Sequence, residues 1–212
     1  QVNVIYSNAA ALVIPLVKAL MGDAYVIYSC AFIIVQLVLL WTHASSLLQG
    51  SSALDWKKVL TNINMIAIAA GALLYWFRVV LPAPLQNTMS TVGNMMGPMG
   101  MLLAGMAIAE KPLREVFCTR RNYLPTVLRL VVCPLVVLVL LWVCHVSSWV
   151  ADGKNILMTV YLAAITPACA TVTSMAQLYD RDAAHSSALY VLTTLLSIVS
   201  MPVMIGLFDL LL

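Results

Sequence analysis

The sequence predicts an all-α membrane protein: a polytopic helical bundle organised around two helices that break inside the bilayer. Three observations predict it. Of 212 residues, 63% are hydrophobic and only 9% charged, with mean hydropathy +0.99; a soluble domain carries roughly 25% charged residues. The apolar residues run on in stretches of about 20, the length of a membrane-spanning helix, without the alternation of a β-barrel strand. Two of these stretches also hold a proline near their middle, Pro15 in residues 6–22 and Pro167 in residues 161–179.

Proline inside a helix removes one backbone hydrogen bond and clashes with the preceding turn. In lipid a freed carbonyl is costly unless protein or trapped water meets it. The second stretch, YLAAITPACATVTSMAQLY, adds Thr166, Thr171, Thr173, Ser174 and Gln177 at bilayer depth. It is a poor lipid-facing helix, so a break that faces protein or a cavity is expected. The first stretch, YSNAAALVIPLVKALMG, places Asn8 two turns before Pro15. Paired interrupted spans in corresponding positions point to a transporter binding site.

Taken in order, seven spans are expected, over residues 2–21 (broken near Pro15), 24–48, 59–81, 85–109, 124–145, 155–178 and 183–211. Short turns separate most of them, among them Gly22-Asp23, Gly50-Ser51-Ser52, Pro82-Ala83-Pro84, Asp152-Gly153 and Asp180-Arg181-Asp182. Consecutive spans are therefore antiparallel. Lys57, Lys58, Lys111, Arg114, Arg120, Arg121 and Arg181 fall on one side, against Lys18, Arg78 and Lys154 on the other. The richer side is cytoplasmic by the positive-inside rule, and the C-terminus is outside. Arg129, one to two turns into the fifth span, is expected to snorkel to the cytoplasmic side.

The first two spans with their acidic turn overlay the last two. Asp23 matches Asp182, and Asn8 falls opposite Pro167. With opposite orientations this is an inverted repeat, with residues 1–49 the remainder of the first copy and 56–212 the second. The chain opens on Gln1 with apolar sequence and no basic leader, so it is expected to start inside a larger protein.

The candidate substrate-binding residues are Asn8, Pro15, Pro167, Thr171 and Ser174. Asn8 both donates and accepts hydrogen bonds; its alternative use is an interhelical bond with no ligand. The prolines expose half-helix N-termini, whose free N–H groups and partial positive charge suit a carboxylate; the alternative is a plain kink. The hydroxyls line a polar path or bond back to their own carbonyls. Gly93 and Gly97 form a close-approach pattern, with Pro98 as a kink.

No span carries a central Asp or Glu, so no coupling carboxylate is present. Cys30, Cys118, Cys133, Cys144 and Cys169 form no CxxC pair, and His43, His145 and His185 are scattered. No metal site, cofactor or catalytic motif follows.

Several stretches together resemble the auxin efflux carrier family, the PIN-like carriers and their bacterial malate-permease-type relatives. These are NAAALVIPLVKALMG at 8–22, WKKVLTNINMIAIAAG at 56–71, LPAPL at 81–85 with the Gly-rich fourth span, and 163–202. Where the family usually has Asn-Pro, this chain has Asn62-Ile63-Asn64. The resemblance implies a ten-helix carrier fold of two inverted five-helix repeats, lacking about three N-terminal helices here. It also implies that the two broken helices cross and that the substrate is a small organic anion.

The expectation is a secondary active transporter, not an enzyme, working by alternating access in the inner (plasma) membrane. Its partners are a small organic anion and the lipid bilayer, with no nucleic acid and a possible homodimer. A non-transporting receptor or assembly subunit would instead show straight spans and no cavity at the two prolines. A channel would need a continuous polar stripe.

Overall fold

The computed structural model describes residues 1–50, 61, 63–95, 98–99, 102, 105–106, 109, 112–144 and 152–212. Among them the chain is helical and forms no strand. It is an all-α membrane protein. Three helices are long and apolar enough to cross a membrane: α3 (Asp23–Gln49), α7 (Arg120–Val143) and α10 (Ala183–Leu211).

Two further spans are interrupted, the second at Pro167, where its proline and polar residues predicted. The first is α1 (Val2–Ile5) followed by α2 (Ala9–Leu20); the second is α8 (Gly153–Ile165) followed by α9 (Ala170–Leu178). The first break is not at Pro15, which lies inside a continuous α2. It falls at residues 6–8, where other elements offer the backbone partners the helix gives up. Around Pro15 no such partners are gathered among the described residues, and the helix continues past the lost bond.

α4 (Ile63–Trp76) is shorter than the expected third span. Arg78 takes a left-handed conformation at φ 49, and the Val79 amide bonds back to the Leu74 carbonyl, a helix-stopping arrangement. α5 (Ala83–Asn94) follows, opened by Pro82 and Pro84. A Cβ on Gly93 would meet nothing within 4 Å, so no helix among the described residues approaches closely there. Gly97, Asn62, Lys57, Lys58, Lys111 and His145 lie outside the described residues. α6 (Leu113–Cys118) leads into α7.

The bundle packs α2, α3, α7, α8 and α10 around Val13, Val17, Ile33, Leu138, Tyr161, Leu162 and Phe208. Lipid is as apolar as these side chains, so close packing, not water exclusion, holds such a core. Tyr161 stacks on Phe208 with centroids 5.1 Å apart. A second cluster joins Tyr6 to Leu40, Cys169, Val172 and Met175 across the two breaks.

The ends of the bundle are stitched by polar contacts. At one end Arg181 Nε donates to the Leu48 carbonyl at 2.6 Å, and Arg121 pairs with Asp182 at 3.9 Å. At the other, Lys18 pairs with Asp23, the Tyr25 hydroxyl donates to Asp152 at 2.5 Å, and Lys154 pairs with Asp209. Of the basic residues that the sequence sorts onto two sides, Arg121 and Arg181 thus meet at one end and Lys18 and Lys154 at the other.

Candidate functional site

The two breaks meet. Ser7 and Ala168 form an antiparallel bridge: the Asn8 amide donates to the Pro167 carbonyl at 2.8 Å, and the Cys169 amide donates to the Tyr6 carbonyl at 3.2 Å. Such a pair of bonds is two-fold symmetric about the bridge. In lipid every backbone group needs a partner, and here the partners can be followed group by group.

In the second arm, Pro167 has no N–H for the Ala163 carbonyl. The Thr166 hydroxyl donates to that carbonyl instead, at 2.9 Å. The proline also holds Thr166 extended, at φ −64 and ψ 152, as its ring requires of the residue before it. The Ala168 amide turns away from its helix to the Thr193 hydroxyl of α10, at 3.2 Å. In the first arm Gln36 of α3 clamps Ser7 at both ends: its amide nitrogen donates to the Ser7 carbonyl, and its oxygen accepts from the Ser7 hydroxyl at 2.7 Å. The Tyr6 hydroxyl donates to the Leu39 carbonyl at 2.9 Å and lies 2.9 Å from His43 Nδ1.

The remaining carbonyls converge on one guanidinium. Arg129 of α7 is 4% exposed. Its Nε and Nη2 donate to the Thr166 carbonyl at 3.1 and 2.8 Å, and Nη2 also donates to Ala164 at 2.9 Å. Nη1 donates to the Val4 carbonyl at 3.2 Å and reaches Ile5 at 3.5 Å. Arg129 therefore does not snorkel to the membrane surface. The carbonyl ends of both broken helices face it, and they solvate the charge better than a route to the interface would. A π-turn over Leu128–Val132 carries it, and a second π-turn, Leu40–Ala44, lies in α3 beside Tyr6. Such turns re-aim side chains within a helix and are frequent at functional sites.

The opposite ends of the half-helices, the starts of α2 and α9, present their first-turn N–H groups. Neither Asn8 nor Cys169 caps them with its side chain. Asn8 is 7% exposed. Of the other sequence candidates, Pro167 contributes its carbonyl to the bridge and Thr171 lies half-buried in the first turn of α9. Pro15 sits within α2, about two turns on, and Ser174 is exposed. The expected polar path divides: Thr166 bonds back to its own helix, Thr173 meets the Ser186 hydroxyl at 3.1 Å, and Gln177 is exposed.

Two cavities adjoin the breaks. One, of about 450 Å³, is lined by Ile5, Tyr6, Phe32, Gln36, Leu39 and His43. The other, of about 190 Å³, lies at the Arg181 end and includes Asn3, Ser186 and His185. There Asn3 Nδ2 donates to the Ser186 carbonyl at 3.1 Å. Gln36, Thr193 and the inward role of Arg129 were not singled out from the sequence. Their only signal was a polar or charged group within an apolar run.

Interrupted helices pinned together inside a bundle of membrane-length helices define a multi-pass membrane protein with a built centre. The family model described as membrane transport protein, Mem_trans, matches residues 51–205. The chain belongs to this family, the auxin efflux carrier family of membrane transporters. The matched residues take in Arg129 and the second break, while the first break precedes them. No curated protein and no solved structure matches the chain.

Proposed function

We propose that the protein is a secondary carrier for a small organic anion, such as a carboxylate, bound at the crossing of its two broken helices. The observation that carries this reading is the pairing of uncapped half-helix starts at α2 and α9 beside a buried asparagine. Each helix start bears a partial charge of about +0.5. The carbonyl ends that would offset it are taken up by Arg129. The crossing is thus left electropositive on its amide side, the environment a carboxylate needs. In this reading Asn8 and Thr171 add side-chain donors, Pro167 keeps the second arm unwound, and the bundle carrying the crossing moves as a rigid body between the two faces of the inner membrane. The two-fold bridge and the matching acidic turns at Asp23 and Asp182 support an inverted repeat. The richer basic end, with Arg121 and Arg181, is then cytoplasmic and the C-terminus lies outside.

The test is Asn8→Ala, assayed for binding of a panel of radiolabelled mono- and dicarboxylates in lipid nanodiscs. A lost hydrogen bond to a charged group is worth about 1.5–3 kcal/mol, so binding should weaken by roughly tenfold or more, with the melting midpoint held. Unchanged affinity would remove Asn8 from the site. Failure of the wild-type chain to bind any organic anion would overturn the carrier reading.

A further inference from the structure

We propose that Arg129 is a built-in cation. Its guanidinium occupies the seat that an inorganic monovalent cation would take among the carbonyls of Val4, Ile5, Ala164 and Thr166, so the crossing closes without bound Na⁺ or K⁺. This inference goes beyond the anion reading, since it concerns the carbonyl side of the crossing and stands whatever the solute is.

Four carbonyl oxygens drawn from the C-terminal ends of α1 and α8 surround the guanidinium at 2.8 to 3.5 Å from its nitrogens. Unwound carbonyls and half-helix C-terminal ends at a bilayer midplane are what coordinate Na⁺ in carriers built on broken helices. Rings of carbonyls likewise replace the hydration shell of K⁺ in channel filters. A guanidinium has five N–H bonds in a fixed fork and no acceptor, and here its three nitrogens make five contacts to the four carbonyls. No Asp or Glu pairs with Arg129 among the described residues. Among the described residues its charge is balanced by backbone dipoles alone, as a bare ion's would be in the same seat. A residue kept for packing alone would not need a charge here, where burying one is expensive.

Removing the side chain should then leave a vacant cation site, not merely a cavity. Arg129→Ala should melt lower than the wild type in choline chloride. Guanidinium chloride at millimolar concentration should raise its midpoint by about 4 °C or more, by binding the folded state alone. That concentration is far below the molar range in which guanidinium denatures. Na⁺ or K⁺ in place of choline should raise the midpoint also. The wild type and Arg129→Lys, which keep a cation tethered in the seat, should not respond to any of the three. All of these are read as melting midpoints in nanodiscs without solute, so they can fail while anion binding succeeds, or the reverse. The proposal is overturned if Arg129→Ala folds and ignores guanidinium, Na⁺ and K⁺ alike. It is equally overturned if the wild type loses stability when choline replaces Na⁺ and K⁺. Should Arg129→Ala fail to accumulate, Arg129→Lys decides: indifference to Na⁺ and K⁺ supports the proposal, and stabilisation by either ion overturns it.

Discussion

Gln36 shows how much of this centre rests on single side chains. Its amide is the one group among the described residues that meets both the carbonyl and the hydroxyl of Ser7. Gln36→Leu keeps the volume and removes both bonds. Leaving a buried polar group unmet costs about 1–3 kcal/mol, so the melting midpoint should fall by several degrees, as differential scanning fluorimetry would record. Tyr161 makes the opposite case. Its hydroxyl is buried with no partner among the described residues while its ring stacks on Phe208. Tyr161→Phe keeps the stacking and deletes the unmet group. It should therefore melt at the same temperature or slightly higher, and a fall of several degrees would mean that the hydroxyl has a use.

At the scale of elements, the two prolines of the interrupted spans separate in role. Pro167 sits in the break itself: it denies Ala163 a backbone donor and holds Thr166 extended. Pro15 sits in a continuous α2. Pro167→Ala restores an N–H that can reach the Ala163 carbonyl, extending α8 at the expense of the Ser7–Ala168 bridge. It should weaken anion binding by about tenfold or more, as loss of one positioned charge-assisted bond would. Pro15→Ala should leave affinity within about twofold and raise stability, since an interior proline costs up to about 3 kcal/mol. Equilibrium binding on the two variants side by side checks the division. From the sequence the two prolines looked equivalent. What distinguishes them is that α3, α7 and α10 bring Gln36, Arg129 and Thr193 to residues 4–8 and 164–168, and among the described residues nothing comparable reaches Pro15.

For the whole molecule, the polar contacts at the two ends of the bundle define opposite faces. Arg121, Arg181 and Asp182 lie at one; Lys18, Asp23, Asp152 and Lys154 lie at the other. The proposed orientation puts the first face in the cytoplasm. In a background with the five native cysteines replaced, Lys154→Cys should react with a membrane-impermeant maleimide in intact cells. Arg181→Cys should react only after permeabilisation. The reverse pattern would invert the topology and leave the crossing geometry untouched.

The sequence by itself determined the class of protein, the positions of the long spans and the existence of two interruptions. Composition and run length are summed over many residues, and a proline acts on its own backbone, so neither waits on a distant partner. Only the tertiary structure decided where the first helix breaks, that Asn8 meets Pro167, and that Arg129 points inward. Those outcomes depend on which carbonyls lie within hydrogen-bond reach once residues more than 120 positions apart are brought together. No local pattern encodes that distance, because the energy that fixes it is the need of each freed backbone group for a partner in a medium that offers none.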